Sequence, residues 1–331
     1  MGTDYIFSSA FVRSHERQLI KEEQFRAMTD SGNIDEICSV IQNAGYGSEA
    51  MSFRPETYQA VLREDKSDMF DEIKELSEGY KELDVLVYPN DYHNIKVLLK
   101  SEVLGKDYSD ILLDKGTVPL ATMIDAVRNR KGVFVTEYMY TAIMEAAEVL
   151  GRTKDPQYVD FVCDKYCYKD ITKVAEESKN EFVKGYVRLA VDVINLKTYI
   201  RIKAMDQSWM YFKDVFIPGG NIDEITYGRI FDADAGTFAS YFNGSDLYGA
   251  VTEGRENLAR TKDYAVFEKL CDDALIEYVK QAKSESYGPD VLFAYLVAKQ
   301  MEIKNIRILM AGKLAGVNPE KLAERIRKTY E

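Results

Sequence analysis

A six-residue signature recurs three times along the chain, and it constrains the fold more than any other feature. An acid is followed three residues later by an asparagine, then by an aliphatic residue and a base: Asp91-Tyr92-His93-Asn94-Ile95-Lys96, Asp192-Val193-Ile194-Asn195-Leu196-Lys197, and Glu302-Ile303-Lys304-Asn305-Ile306-Arg307. Each copy runs on into a helical pattern, as Val97-Leu98-Leu99, Thr198-Tyr199-Ile200 and Ile308-Leu309-Met310. The flanks agree as well. Gly116-Thr117-Val118-Pro119 follows the first asparagine and Gly220-Asn221-Ile222-Asp223 the second, each ahead of an amphipathic segment, while Val317-Asn318-Pro319-Glu320 is a shorter version after the third. Upstream, Tyr158–Asp164 parallels Tyr264–Leu270. Self-similarity of this kind marks a duplicated supersecondary unit. The spacing sets module boundaries near residues 115 and 220, giving helical modules over 1–115, 116–220 and 221–331.

Residues at i and i+3 share one face of a helix, so each acid stands beside its asparagine. The candidate set is Asp91, Asn94 and Lys96; Asp192, Asn195 and Lys197; Glu302, Asn305 and Arg307. A buried carboxamide must be satisfied on every side, which lets it fix one register against a neighbouring segment as leucine cannot. Two roles follow from that chemistry. Each asparagine pins its own module, or the three sites present polar contacts to a partner. The base two positions after the asparagine is expected to point away from that face, into water.

The local signals are helical almost throughout. Five of the seven prolines stand where a helix would begin; Asp155-Pro156, Gly288-Pro289 and Asn318-Pro319 show it best, since proline lacks only an N–H that the first turn does not need. Between these starts, apolar residues recur at three and four, as in Val291, Leu292, Tyr295 and Leu296, then Ile303, Ile306, Leu309 and Met310. No sustained alternation bounded by a hairpin turn occurs; Asn243-Gly244 reads as a helix stop. The fold class is all-α, and 331 residues exceed a single core.

Charge and composition narrow the function. A formal charge of −12 with a pI near 4.9 argues against a phosphate backbone as partner, so no nucleic acid is expected. The basic residues Lys321, Arg325, Arg327 and Lys328 read as cations in a last helical turn, complementing the helix dipole. No apolar stretch reaches the length of a membrane span; the run from Met139 to Leu150 is broken by Glu145 and Glu148. Met1 to Ala10 carries Asp4 and lacks the basic start and apolar core of a signal segment.

Reactive clusters are scarce. The four cysteines, Cys38, Cys163, Cys167 and Cys271, include no Cys-x-x-Cys pair; Cys163 and Cys167 share a helical face and read as small buried apolar side chains rather than metal ligands. His15 and His93 are the two histidines. His15-Glu16-Arg17-Gln18-Leu19 lacks the second histidine of a zinc-protease helix, and His93 lies inside the repeat where the other copies have Ile194 and Lys304. Gly312-Lys313 and Gly45-Tyr46-Gly47 lack the rest of any phosphate-binding loop. No catalytic residue, cofactor, metal or small-molecule substrate is expected.

Asn90-Asp91-x-His93-Asn94 with Val97-Leu98-Leu99, the second copy Asp192-x-x-Asn195-Leu196, and the Pro218-Gly219-Gly220 turn resemble the same features of the C subunit of the V-type and A-type rotary ATPases, known in eukaryotes as the d subunit. The resemblance covers essentially the whole chain, and it rests on three copies in register rather than on any one motif. It implies three similar helical domains arranged as a pseudo-threefold funnel. It further implies a non-catalytic rotor subunit that links the central stalk, made of the D and F subunits, to the membrane proteolipid ring and transmits torque for ATP-coupled proton or sodium transport. The expected location is cytoplasmic, peripheral to the membrane. The 23 tyrosines suit a rigid body with protein interfaces. The competing reading is a helical scaffold or adaptor unrelated to rotary ATPases, although solenoid repeats of about 20–50 residues are far shorter than these.

Overall fold

A computed structural model describes residues 4–77, 80–106 and 108–331, and every regular element among them is helical. Met1 to Thr3, part of the N-terminal stretch considered above, lie outside the described residues; Asp4 opens the first helix. In chain order the α-helices are α1 (Asp4–Glu16), α2 (Glu22–Asp30), α3 (Ile34–Asn43), α4 (Tyr58–Leu76), α5 (Tyr88–Leu104), α6 (Leu120–Asn129), α7 (Glu137–Thr153) and α8 (Gln157–Glu177). They continue as α9 (Glu181–Ala204), α10 (Trp209–Val215), α11 (Glu224–Ile230), α12 (Ala235–Ser240), α13 (Arg255–Thr261), α14 (Ala265–Val279), α15 (Pro289–Leu314) and α16 (Pro319–Ala323). Among the described residues, no helix is long and apolar enough to cross a membrane.

Helix starts follow local side-chain chemistry. Asn33, Thr136, Asn180, Asp223, Asp234 and Asn318 each accept a hydrogen bond from a backbone N–H in the first turn of the helix they precede. Each satisfies a donor that the helix itself leaves open. Asp155 does the same, its Oδ1 accepting from Gln157 N at 2.9 Å. Pro89, Pro289 and Pro319 lie in first turns, and Pro119 and Pro156 stand immediately before α6 and α8.

The chain forms two compact units. One comprises Lys81–Phe231. In it α8 is the hub, packing on α5, α7 and α9. An aromatic cluster closes the end of α9: Tyr199, Trp209, Phe212, Phe216, Tyr227 and Phe231 stand 5.0–6.0 Å apart, ring centre to ring centre. Edge-on and tilted pairs of this kind add to the gain from burying apolar area.

The other unit combines residues up to Tyr80 with Asp232–Glu331. Its spine is α15, which packs on α1, α4 and α14 and buries an unbroken run from Val291 to Ala298. A helix apolar on all sides belongs in a core, and this one is surrounded. Its C-terminal half, through Ile303, Ile306, Leu309 and Met310, joins one cluster with Phe25, Met28, Ile37, Ile41, Val61 and Leu62 from α2, α3 and α4. Segments from opposite ends of the sequence therefore share a core.

Among the described residues, three helices are capped in left-handed conformation by a residue other than glycine: Arg130 (φ 53°), Lys154 (φ 58°) and Lys262 (φ 60°). A side chain there costs about 1–2 kcal/mol relative to the right-handed region. Lys154 is exposed, and its N–H caps Leu150 O at 2.9 Å. Lys154→Gly should therefore stabilise the protein by about 0.5–1 kcal/mol in urea unfolding, part of the relief being offset by a freer unfolded chain.

Candidate functional site

Each of the three asparagines makes the same pair of bonds. From α5, Asn94 Nδ2 donates to Leu113 O at 2.8 Å while its Oδ1 accepts from Leu113 N at 2.8 Å. From α9, Asn195 treats Ile217 identically at 2.7 and 3.0 Å. From α15, Asn305 treats Arg327 identically at 3.0 and 2.8 Å. One carboxamide thus pairs with both polar groups of one residue, as a neighbouring β-strand would, and fixes that segment in register.

The acids hold what comes next. Asp91 Oδ2 accepts from Thr117 N at 2.8 Å and Thr117 Oγ1 at 2.7 Å, and Oδ1 from Val118 N at 3.2 Å. Asp192 Oδ2 accepts from Asn221 N at 3.0 Å and Asn221 Nδ2 at 2.7 Å, and Oδ1 from Ile222 N at 3.0 Å. Two successive main-chain amides and the side chain between them converge on one carboxylate in both places. Gly116 and Gly220 are required by that closeness: a Cβ at either would overlap the Oδ1 of Asp91 or Asp192. The boundaries drawn at 115/116 and 220/221 fall inside these pinned segments.

Glu302 stands in the corresponding place on α15 but reaches differently. Its Oε2 accepts from Ile20 N at 2.5 Å; its Oε1 accepts from Tyr46 Oη at 2.6 Å and Lys299 Nζ at 2.7 Å. The Lys299 ammonium also lies over the Tyr46 ring at 3.9 Å. All six acids and amides are at most 5% exposed. Burial pushes the Asp91 and Asp192 carboxyls up from the usual range, and the donors from Thr117 and Val118, and from Ile222 and Asn221, pull back against it. The same burial pushes Tyr46 well up, beside the Glu302 carboxylate.

The bases divide. Arg307 is exposed, as expected. Lys96 is not in open water: its Nζ donates to Asp164 Oδ1 of α8 at 2.6 Å, and Lys100 pairs with Asp160 one turn on at 2.7 Å, because α8 packs along that flank of α5. Lys197 is half-buried on α9. The C-terminal cations also differ from expectation. The helix α16 stops at Ala323, so of the four only Lys321 lies in a last turn. Arg325 pairs with Asp263 at 2.8 Å, and Arg327 is buried with its Nε donating to Asp272 Oδ2 at 2.9 Å. Lys328 N donates to Asp273 Oδ1 at 2.6 Å. A buried guanidinium needs such a carboxylate, and Asp272 on α14 supplies it.

Sequence reasoning did not find Ile20, Tyr46, Lys299, Asp272 or Asp273. Consecutive acids inside the apolar run Leu270-Cys271-Asp272-Asp273-Ala274-Leu275 were the available signal for the last two. The ring of His93 donates from Nε2 to Ile111 O at 2.9 Å, adding a tie to the loop that Asn94 holds. His15 stacks on Phe11 with ring centres 4.1 Å apart. Cys163 and Cys167 are buried in α8, and burial pushes both thiols up, away from the thiolate a metal would need. Among the described residues, no three His, Cys, Asp or Glu side chains gather as around a metal ion.

The arrangement holds and registers backbone. It defines a helical repeat protein in which a long helix of each copy carries an acid and an amide that hold backbone outside that helix. The family model of the ATP synthase (C/AC39) subunit matches residues 8–325. This chain belongs to that family. It is 23% identical to the C subunit of the V-type sodium ATPase of Enterococcus hirae, covering 99% of both chains. It is 22% identical to the C subunit of the V-type ATP synthase of Thermus thermophilus, covering 98% of this chain and 99% of that one. With the C subunit of the A-type ATP synthase of Methanocaldococcus jannaschii it shares 22% identity over 96% of this chain and 85% of that one.

Asn195→Leu should destabilise the protein by about 1–3 kcal/mol, because Ile217 N and O are stranded in the interior. Asn94→Leu and Asn305→Leu should act in the same direction, as read by denaturant midpoints. Gly220→Ala should cost about 1–3 kcal/mol by forcing Asp192 off its donors. Gly249→Ala, whose added methyl meets open space, should be neutral or stabilising in the same assay.

Proposed function

We propose that this protein is a non-catalytic rotor subunit of a V-type or A-type rotary ATPase, linking the central stalk, made of the D and F subunits, to the membrane proteolipid ring. It passes torque between them, for ATP-coupled proton or sodium transport, as a body of three similar helical domains over 1–115, 116–220 and 221–331, arranged as a pseudo-threefold funnel. It works on the cytoplasmic side, peripheral to the membrane, with no cofactor and no small-molecule substrate.

The observation that carries this reading is the tripled joint within a chain that matches its family over nearly its full length. A torque-bearing link must not shear between its modules. Segments held by side-chain amides inside a core resist sliding, because any slip strands buried donors and acceptors. The relatives are named as the C subunit of a V-type sodium ATPase and of A-type and V-type ATP synthases, so the same place in a rotary machine is the economical assignment. A formal charge of −12 suits a body that docks on protein loops while staying off an anionic membrane surface.

The folded protein, immobilised, should capture a purified D–F stalk heterodimer and, separately, detergent-solubilised proteolipid ring. Capture of neither, with all components folded, would overturn the assignment. Small-angle scattering that gives a rod instead of a compact particle would favour a linear scaffold.

A further inference from the structure

A cleft of about 340 Å³ opens where three segments remote in sequence meet: α2, Lys269 of α14, and residues 326–329 beyond α16. All of them lie in the unit that holds both ends of the chain. The volume is at the small end of ligand-sized pockets, which run about 300–1,000 Å³. In a chain of formal charge −12, its lining is cationic: Arg26, Lys269, Arg327 and Lys328 stand against one acid, Glu22.

Two of the four cations are already answered by carboxylates of α14. Asp273 holds Lys269 at 2.5 Å, and Asp272 holds Arg327 at 2.9 Å. The other two are not. Arg26 is exposed one turn after Glu22, and it makes no ion pair among the described residues. Lys328, half exposed, comes within 3.4 Å of Glu277, a carboxylate that Lys280 holds more closely at 2.9 Å. One of these cations belongs to α2 and the other to the C-terminal segment, so like charges face the cleft from two of its walls. Phe25 and Ile326 add apolar lining, which lowers the local dielectric and strengthens whatever charge pairing forms there.

We propose that this cleft binds a small oxyanion of two or more charges, a phosphate or a polycarboxylate, held by Arg26 and Lys328. The anion ties α2 to the C-terminal segment. It is a fastening ligand and no substrate, so the proposal goes beyond the rotary assignment and stands without it. A guanidinium presents paired donors that match two oxygens of one phosphate or carboxylate, and the flexible ammonium of Lys328 meets the second charge from the opposite segment. The size of the cleft excludes a nucleic acid, and a monovalent ion would satisfy one wall alone.

Calorimetric titration of the full chain with pyrophosphate and, separately, with citrate tests this, ionic strength being held constant with sodium chloride. At least one probe should bind saturably at one site and raise the melting temperature; which one it is tells phosphate from carboxylate. Arg26→Gln and Lys328→Gln, at exposed positions that the fold tolerates, should each weaken that binding about ten-fold or more. Lys131→Gln, an exposed cation of the other unit, should leave it unchanged. No saturable binding of either probe would overturn the site. Binding that survives undiminished in the Arg26→Gln and Lys328→Gln chains, or that Lys131→Gln weakens equally, would overturn it too.

Discussion

A carboxamide that pairs with both the N–H and the C=O of one distant residue is the interaction on which the rest of this structure depends. Helices satisfy their own backbone, but the loops between them do not, and a loop packed against a core brings unpaired donors with it. Asn94, Asn195 and Asn305 each solve that problem for one loop, and Asp91 and Asp192, one turn earlier, solve it for the residues that follow in the first two copies. Because the acid and amide share one rigid helix, the two anchor points are set at a fixed distance. The chain between them can take only one path.

That arrangement suits a mechanical part. Its bonds are buried, where the low dielectric strengthens each one and water cannot substitute for a lost partner. Charged and polar side chains beyond the acid and amide pairs also serve packing. Lys96 and Lys100 fasten α5 to α8 through Asp164 and Asp160, Arg327 is spent on Asp272, and the buried thiols are held neutral. Membership of the ATP synthase (C/AC39) subunit family fits a molecule organised this way.

The departures from expectation have a common cause. Lys96 was expected in water and is in an ion pair, and Arg325, Arg327 and Lys328 were expected in a last helical turn and lie beyond the end of α16. In each case the side chain's fate is set by an element far away in sequence, α8 for Lys96 and α14 for Arg327. Periodicity along one helix describes that helix's faces but not which neighbour covers them.

The sequence by itself determined that the chain is helical, where several helices begin, and that six acids and amides recur at one spacing, because capping, proline placement and a tripled spacing are written in short runs of residues. It also marked Gly116 and Gly220, whose neighbours repeat. Only the tertiary structure decided what those groups hold. Ile20 and Tyr46 carry no local sign that they belong to Glu302, since the bond between them forms where two remote segments enter one core, and no spacing rule spans 282 residues. Side chains choose partners by proximity after folding, and proximity across a core is a property of the packed molecule alone.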